Sequence, residues 1–444
     1  MRVMITVWPH MCHLYPIIPY AQALQNAGHE VCVAGPEGAT EQIVAAGLTA
    51  VVTKGDQAPQ TAQDWARPDL VIDHVEMDRQ AAALGVTDGE RDNWDVYSHF
   101  LLFGVRFHLP PEPSTNNVEL IEFAKAWKPD LVLWDPWFPA GAVAAKACGA
   151  AHGRMLMAPD YSGWVGERFA AYRETGGAPE LNPLVEVLRP LADRYGVEVD
   201  DELVFGQFSL DPMPDEMRLS TGIASVPVRW IPYNGGGVKP EWLYGSPERP
   251  RVALSLGVST RMYMKGEWRT PKIFEAVDGL DVEMVATLNK DQLQDIGTIP
   301  DNVRTVDYVP LSQLLPTCAV SINHGSSGTF WASLANGLPQ LITDTDERQS
   351  QSTEGEGENT QFKLPERHIL SPIAARYVTG HGAGMRLNHQ TQSVDEIRSQ
   401  IVKLVDDPSY KDGAAALRDD WLARPAPAEI IPDLEKLTAL HGRG

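Results

Sequence analysis

The segment from Val3 to Val52 most constrains what this chain can fold into. Three short apolar runs, Val3–Val7, Glu30–Ala34 and Leu48–Val52, alternate with two stretches whose apolar residues recur at helical spacing. In the first stretch, at Pro16–Ala27, Ile17, Ile18, Ala21 and Leu24 join Leu14 on one face, and Gly28 suits the helix stop. A second helix is expected over Ala39–Ala46. Strand, helix, strand, helix and strand in this order call for a parallel sheet covered by helices on both faces. The same rhythm resumes at Asn117–Trp127 (helix), Pro129–Trp134 (strand), Pro139–Cys148 (helix) and His152–Met157 (strand). Helices at Leu184–Tyr195 and Asp200–Val204 close this half, and the polar stretch at 55–113, with its scattered aromatics, reads as loops and helices standing over the sheet.

A Pro- and Gly-rich passage, Gly222–Lys239, reads as a crossing between domains. Beyond it the rhythm starts again, with strands at Val252–Leu256, Val282–Thr287, Val303–Val306, Val320–Ile322 and Gln340–Ile342. Helices at Pro271–Ala276, Leu311–Leu315 and Thr329–Ala335 lie between them. A chain of 444 residues suits two cores better than one. The expected fold is therefore α/β, two facing Rossmann-like domains with parallel sheets and an interdomain cleft. The domains span 1–221 and 240–425, and a C-terminal helix within 426–444 packs back toward the first.

Composition removes several classes. No run of about 18 apolar residues is present, so no membrane span is expected, and the N-terminus lacks the pattern of a secretory leader. The expectation is a cytoplasmic protein. Cys12, Cys32, Cys148 and Cys318 are far apart, without metal-site spacing, and read as reduced thiols. A net charge of −22 argues against nucleic acid as a partner. An acidic chain that binds a phosphorylated ligand needs a local device such as a helix N-terminus.

Val320–Thr329 offers that device. A buried strand runs into His324 and Gly325, and Ser326, Ser327, Gly328 and Thr329 then open a helix whose free N–H groups and hydroxyls suit a diphosphate. A plain helix cap accounts for the Ser and Gly residues equally well, but not for the His. Ser255–Ser259 follows another strand and reads either as part of the same sheet edge or as an ordinary turn. His13, in the first strand-to-helix turn, is a candidate general base, and Asp135, just past the strand ending at Trp134, could orient it. A structural histidine is the competing reading. Asp344–Phe362 is acidic and nearly free of apolar residues, and reads either as a solvated loop or as a lid. No GxGxxG follows the first strand, and P-loop, GxSxG and HExxH motifs are absent, so no metal or redox cofactor is expected.

These residues also carry a family likeness. HLYPIIPYAQALQNAGHEV, from His13, resembles the opening of GT-B glycosyltransferases of glycosyltransferase family one. YVPLSQLLPTCAVSINHGSSGTFWASLANGLPQL, from Tyr308, resembles their donor-binding signature. RVALSLGVSTR and DDPSYKDGAAALRDDWLARPAPAEI are similar to the deoxysugar transferases of macrolide and anthracycline pathways, desosaminyltransferases among them.

The resemblance implies an acceptor-binding first domain and a nucleotide-sugar-binding second one. It implies His13 as base with Asp135 as its acid, and His324, Gly325, Ser326, Ser327, Gly328 and Thr329 at the diphosphate. It further implies Ser259 closing over the phosphates and the Val309 backbone at the nucleobase. The donor would be a dTDP-deoxysugar (an aminodeoxysugar), the acceptor a hydrophobic polyketide-type aglycone, and the outcome inversion at the anomeric carbon. A haem-less monooxygenase-like helper protein, docked near 55–113, and a homodimer belong to the same likeness. The chain departs from the pattern after Leu341, where Asp344, Asp346 and Gln349 stand as candidates for holding the sugar. Two rival readings remain: a sugar-nucleotide epimerase of the same architecture, and an inactive nucleotide-sugar-binding subunit. Apolar and aromatic residues among Trp94–Phe107 favour a greasy acceptor over the epimerase.

Overall fold

A computed structural model describes residues 1–55, 73–176, 182–257, 269–294, 296–349, 352–354, 361–363 and 365–442. The chain divides into two compact units. The first comprises Met1–Arg229, Gln349–Lys363 and Pro425–Gly444, and the second Trp230–Arg348 and Leu364–Arg424. Among the described residues no helix is long and apolar enough to cross a membrane.

The first unit is built on strands β1 (Arg2–Thr6), β2 (Glu30–Pro36), β3 (Thr49–Thr53), β4 (Leu131–Trp134), β5 (Ala151–Met155), β6 (Phe208–Asp211) and β7 (Ser225–Pro227). They form one sheet in the order β3-β2-β1-β4-β5-β6-β7, parallel at every pairing. Val3, Met4 and Ile5 of β1 are fully buried, as expected for a strand covered on both faces. Strand order reverses between β1 and β4, where Thr6 is in register with Trp134. A parallel α/β sheet opens its ligand crevice at such a point, beyond the carboxyl ends of the strands.

Four elements of this unit differ from the sequence reading. The helix after β1 runs over Met11–Asn26, five residues earlier than expected, and encloses Pro16 and Pro19. His10 caps it, the ring accepting the Cys12 N–H, so the helix starts in what reads as loop. The helix Tyr161–Glu174 and the strand β6 were not expected. Ser225–Pro227, inside the supposed crossing 222–239, is the edge strand β7, paired with β6. The C-terminal helix Ile431–His441 packs on β5, and Glu435 lies 3.4 Å from His29.

The second unit repeats the plan. Its strands are β8 (Arg251–Ser255), β9 (Glu283–Thr287), β10 (Val303–Val306), β11 (Val320–Asn323) and β12 (Gln340–Thr343). Past the short antiparallel pair β13 (Ser352–Glu354) and β14 (Gln361–Lys363) comes the last strand, β15 (Gly384–Leu387). The sheet order is β10-β9-β8-β11-β12-β15, again parallel, with its reversal between β8 and β11. Val252 and Leu254 join Ile273, Phe274 and Ile322 in one apolar cluster. Ala253 joins Leu314, Leu315 and Ala332 in another. This period-two alternation shows both faces of the sheet filled.

Candidate active site

In the first unit the reversal point holds an acid–base pair. Asp135 is the first residue past β4, and His13 lies in the first turn of the helix that follows β1. His13 Nδ1 is 2.7 Å from Asp135 Oδ2. The carboxylate is fixed from two further directions, Oδ2 accepting from the Trp8 N–H (3.2 Å) and Oδ1 from the Trp137 N–H (2.9 Å). With Nδ1 donating to the carboxylate, Nε2 is the ring nitrogen left to exchange a proton. Burial disfavours a charged ring here, but Asp135, and after it Cys12, outweighs burial, and His13 is pushed up to about 10.

Aromatic rings enclose the pair. Trp8 meets His13 edge-on at 4.6 Å and stacks on Trp137 with centroids 5.3 Å apart. Trp137 lies 5.2 Å from the His13 ring. His108 packs against Trp8 and Phe138, and burial drives it down to about 3 against the pull of Asp135. Cys12 Sγ lies 2.7 Å from His10 Nδ1. Trp8, Trp137 and His108 were not foreseen, although two of them stand in loops at strand carboxyl ends, which is the available signal. Trp94 and Tyr97 are fully buried in the core, and only Phe100, Arg106 and Phe107 in the Trp94–Phe107 stretch are partly exposed.

In the second unit the corresponding position, first past β11, is His324. Gly257, beyond β8, has φ +81°, and a Cβ there would stand 2.4 Å from the His324 ring, so bare backbone packs on the imidazole. Gly325 has φ +74° and donates its N–H to Asn323 Oδ1 (2.9 Å), turning the chain into the helix Ser327–Ala335. Ser326 is the N-cap, with no side-chain capping bond and no acidic residue in the first turn. Its hydroxyl lies 3.2 Å from Thr329 Oγ1. Together with Ser327 and Gly328 this is a positive helix end lined by hydroxyls, suited to an anion. Burial, and then His368 and Arg269, hold His324 well below its ordinary value, so it meets a ligand as a neutral imidazole. Its Nδ1 is buried without a partner among the described residues, and the His368 ring stands 4.8 Å away. His368 and Arg269 carry no motif that would have drawn attention to them.

Val309 is buried with Leu311, Leu314 and Leu315, which leaves only its backbone for a ligand. Ser259 lies outside the described residues, as does part of the polar stretch after Asp344. Asp344 is buried and heavily engaged. Oδ1 accepts from Arg367 Nε (2.8 Å) and Ser371 Oγ (2.7 Å), and Oδ2 from Arg386 Nε (2.7 Å). Asp346 accepts from Arg386 and from Asn388, at 2.6 and 3.0 Å. Gln349 is fully buried. Asp344 is thus enclosed by its arginines and Ser371, whereas Asp346, paired with Arg386, keeps most of its side chain exposed.

The two parallel-sheet units and their similarity over 99% of the chain to a solved glycosyltransferase give the fold as GT-B. The family model described as erythromycin biosynthesis protein CIII-like matches with its N-terminal domain over residues 22–257 and its C-terminal domain over 271–355 and 361–437. The chain belongs to that family of glycosyltransferases. It is 37% identical to the 10-deoxymethynolide desosaminyltransferase of Streptomyces venezuelae, over 100% of this chain and 98% of that protein. It is 36% identical to the aclacinomycin-T 2-deoxy-L-fucose transferase of Streptomyces galilaeus, over 100% and 97%. The crystal structure of glycosyltransferase VinC in complex with dTDP is similar at TM-score 0.78 and 30% identity, covering 99% of this chain and 100% of that one.

Proposed function

We propose that this enzyme is an inverting glycosyltransferase that moves a deoxysugar from a dTDP-sugar to a hydroxyl of an apolar polyketide-type acceptor. The observation that carries this reading is the His13–Asp135 pair, 2.7 Å apart at the reversal point of the first sheet. The relatives named for macrolide and anthracycline substrates support the substrate classes, and VinC with bound dTDP supports the nucleotide.

His13 Nε2 takes the proton of the acceptor hydroxyl. That oxygen forms a bond to the sugar C1 while the bond from C1 to the diphosphate oxygen breaks on the opposite face, and dTDP leaves. Asp135 holds the ring in the right tautomer and stabilises the imidazolium. The start of the helix Ser327–Ala335, with His324, Ser326 and Thr329, meets the charge growing on the diphosphate, a preorganised electrostatic role. On the family likeness the Val309 backbone would meet the nucleobase and Ser259 would close over the phosphates. Sugar recognition by Asp344, Asp346 or Gln349 would act through the arginine-held segment. An aminodeoxysugar donor, a haem-less monooxygenase-like helper and a homodimer belong to this reading on the family likeness alone.

The test incubates the protein with a dTDP-deoxysugar and either 10-deoxymethynolide or aklavinone as acceptor, with calorimetry of dTDP against UDP alongside. Acceptor-dependent glycoside with inverted anomeric configuration, and preference for dTDP, are expected. Conversion of the sugar nucleotide without acceptor would instead point to an epimerase. Failure to bind dTDP would overturn the donor assignment.

A further inference from the structure

The helical run over Arg91–His108 reaches the acid–base pair by a contact that the chemistry above leaves unused. It consists of the helix Arg91–Asp95, a π-helical stretch at Val96–Leu101 and the helix Leu102–His108. A π-turn widens the helix and resets the phase of the residues beyond it. In the last part Gly104 is buried, and a Cβ built on it would lie 2.4 Å from Cε3 of Trp137 and 2.8 Å from Cζ3. The benzenoid edge of that indole therefore rests on bare helix backbone. The same indole stacks on Trp8 at 5.3 Å and lies 5.2 Å from the His13 ring. The backbone N–H of Trp137 donates to Asp135 Oδ1 at 2.9 Å. One residue touches the base, fixes the acid and bears on a helix from a distant part of the chain.

We propose that Trp137 is a positioning residue for His13, a wedge set in place by its contact with Gly104, through which the helix Leu102–His108 fixes the orientation of the base. The inference rests on the reading of His13 as the base. Hydrogen bonds at its edge leave a ring free to tilt, and packing on its face removes that freedom. Interiors packed at crystal density do not absorb an extra methyl without displacement. The helix thus bears on the pair with bare backbone at Gly104, while its last residue, His108, packs on Trp8. The ionisable groups around the His13 ring are Asp135, Cys12 and His108, with His10 stacked on the far side of Trp8.

The experiment follows the His13 ring by NMR of ¹⁵N-histidine-labelled protein, His13→Ala supplying the assignment. Titrations of the wild type, Gly104→Ala, Trp137→Phe and Gly104→Ala/Trp137→Phe are compared. The added methyl of Gly104→Ala should displace the indole and lower the His13 titration midpoint by about one pH unit or more, with dTDP affinity unchanged. Phe lacks the ring atoms that the methyl would strike, so the double variant should return the midpoint toward that of Trp137→Phe alone. A midpoint unchanged in Gly104→Ala, or a double variant no closer to Trp137→Phe than Gly104→Ala is, would overturn the proposal. If Gly104→Ala does not fold, an unaltered midpoint in Trp137→Phe overturns it equally. Turnover separates this from the broader reading: a fully active His13→Ala sinks the assignment of the base, whereas the midpoints report only on the wedge.

Discussion

Asp135 and His324 occupy the same place in their respective sheets. Each is the first residue beyond the strand that lies across the reversal point from the first strand of its unit, β4 in one case and β11 in the other. In the first unit that place holds a carboxylate. It grips His13 and draws the imidazole up to about 10. In the second unit it holds an imidazole. There burial comes first and then His368 and Arg269, and His324 is held neutral. One topology thus holds one imidazole raised and another lowered, and the presence or absence of a carboxylate partner against burial decides which. Location at a strand end marks a ligand site, whereas the partner across it sets the chemistry.

The comparison is tested hardest at His13. His13→Ala should lower kcat by ~10²–10⁴-fold, while calorimetry finds dTDP bound as in the wild type. Full turnover in that variant breaks the contrast between the units. Asp135→Asn should cost up to ~10⁴-fold in kcat by releasing the tautomer and orientation of the ring. A base must be neutral to act, so kcat/KM for the acceptor should rise with pH up to about 10 in the wild type. In Asp135→Asn that limb should move down toward the ordinary histidine value of about 6.5. Stability shares the origin. The folded value lies above that of a free imidazole, so the pair's stabilisation is complete below about pH 6.5 and disappears as pH rises through about 10. Urea melts of Asp135→Asn and wild type should therefore converge at high pH. A gap that widens there would show that the ring is not held charged.

The smallest of these effects belongs to the second unit. His324→Ala removes one hydrogen bond to a charged ligand and should weaken dTDP about tenfold, near 1.5 kcal/mol. The affinity of the wild type should stay level between about pH 6 and 9, since a histidine held far below its ordinary value does not titrate in that range. Binding that tightens sharply as pH falls toward 6 would mean that His324 charges, and the two units would then be more alike than their neighbours suggest.

Much of the architecture could be read before any coordinates, because strands covered on both faces leave continuous apolar runs such as Val3–Val7 and Val252–Leu256. The pairing of His13 with Asp135, 122 positions apart, was reachable by the same route, since adjacent parallel strands bring their carboxyl ends together. What escaped did so for local reasons. Pro16 reads as a helix start, yet His10 caps the helix six residues earlier. Gly163 and Gly166 dilute the apolar pattern of the helix Tyr161–Glu174. β7 is a three-residue edge strand ending in Pro, with little pattern to see. The wedge of Trp137 against Gly104 joins a loop to a remote helix, and no spacing announces such a contact.

The knot of arginines on Asp344 has a consequence for how this enzyme can change. Arg367 binds Asp344 across 23 positions, and Arg386 binds it from β15. Two distant stretches of chain, at Arg367 and Arg386, are therefore tied to one carboxylate. Doubling the length of a closed loop costs only about 0.6 kcal/mol. Libraries that vary the length of residues 355–360, between β13 and β14, should keep buried Gln349 and the contacts of Asp344 in place. The segment is a natural place to graft new recognition of a sugar or a partner, with the aspartate and its arginines serving as the socket.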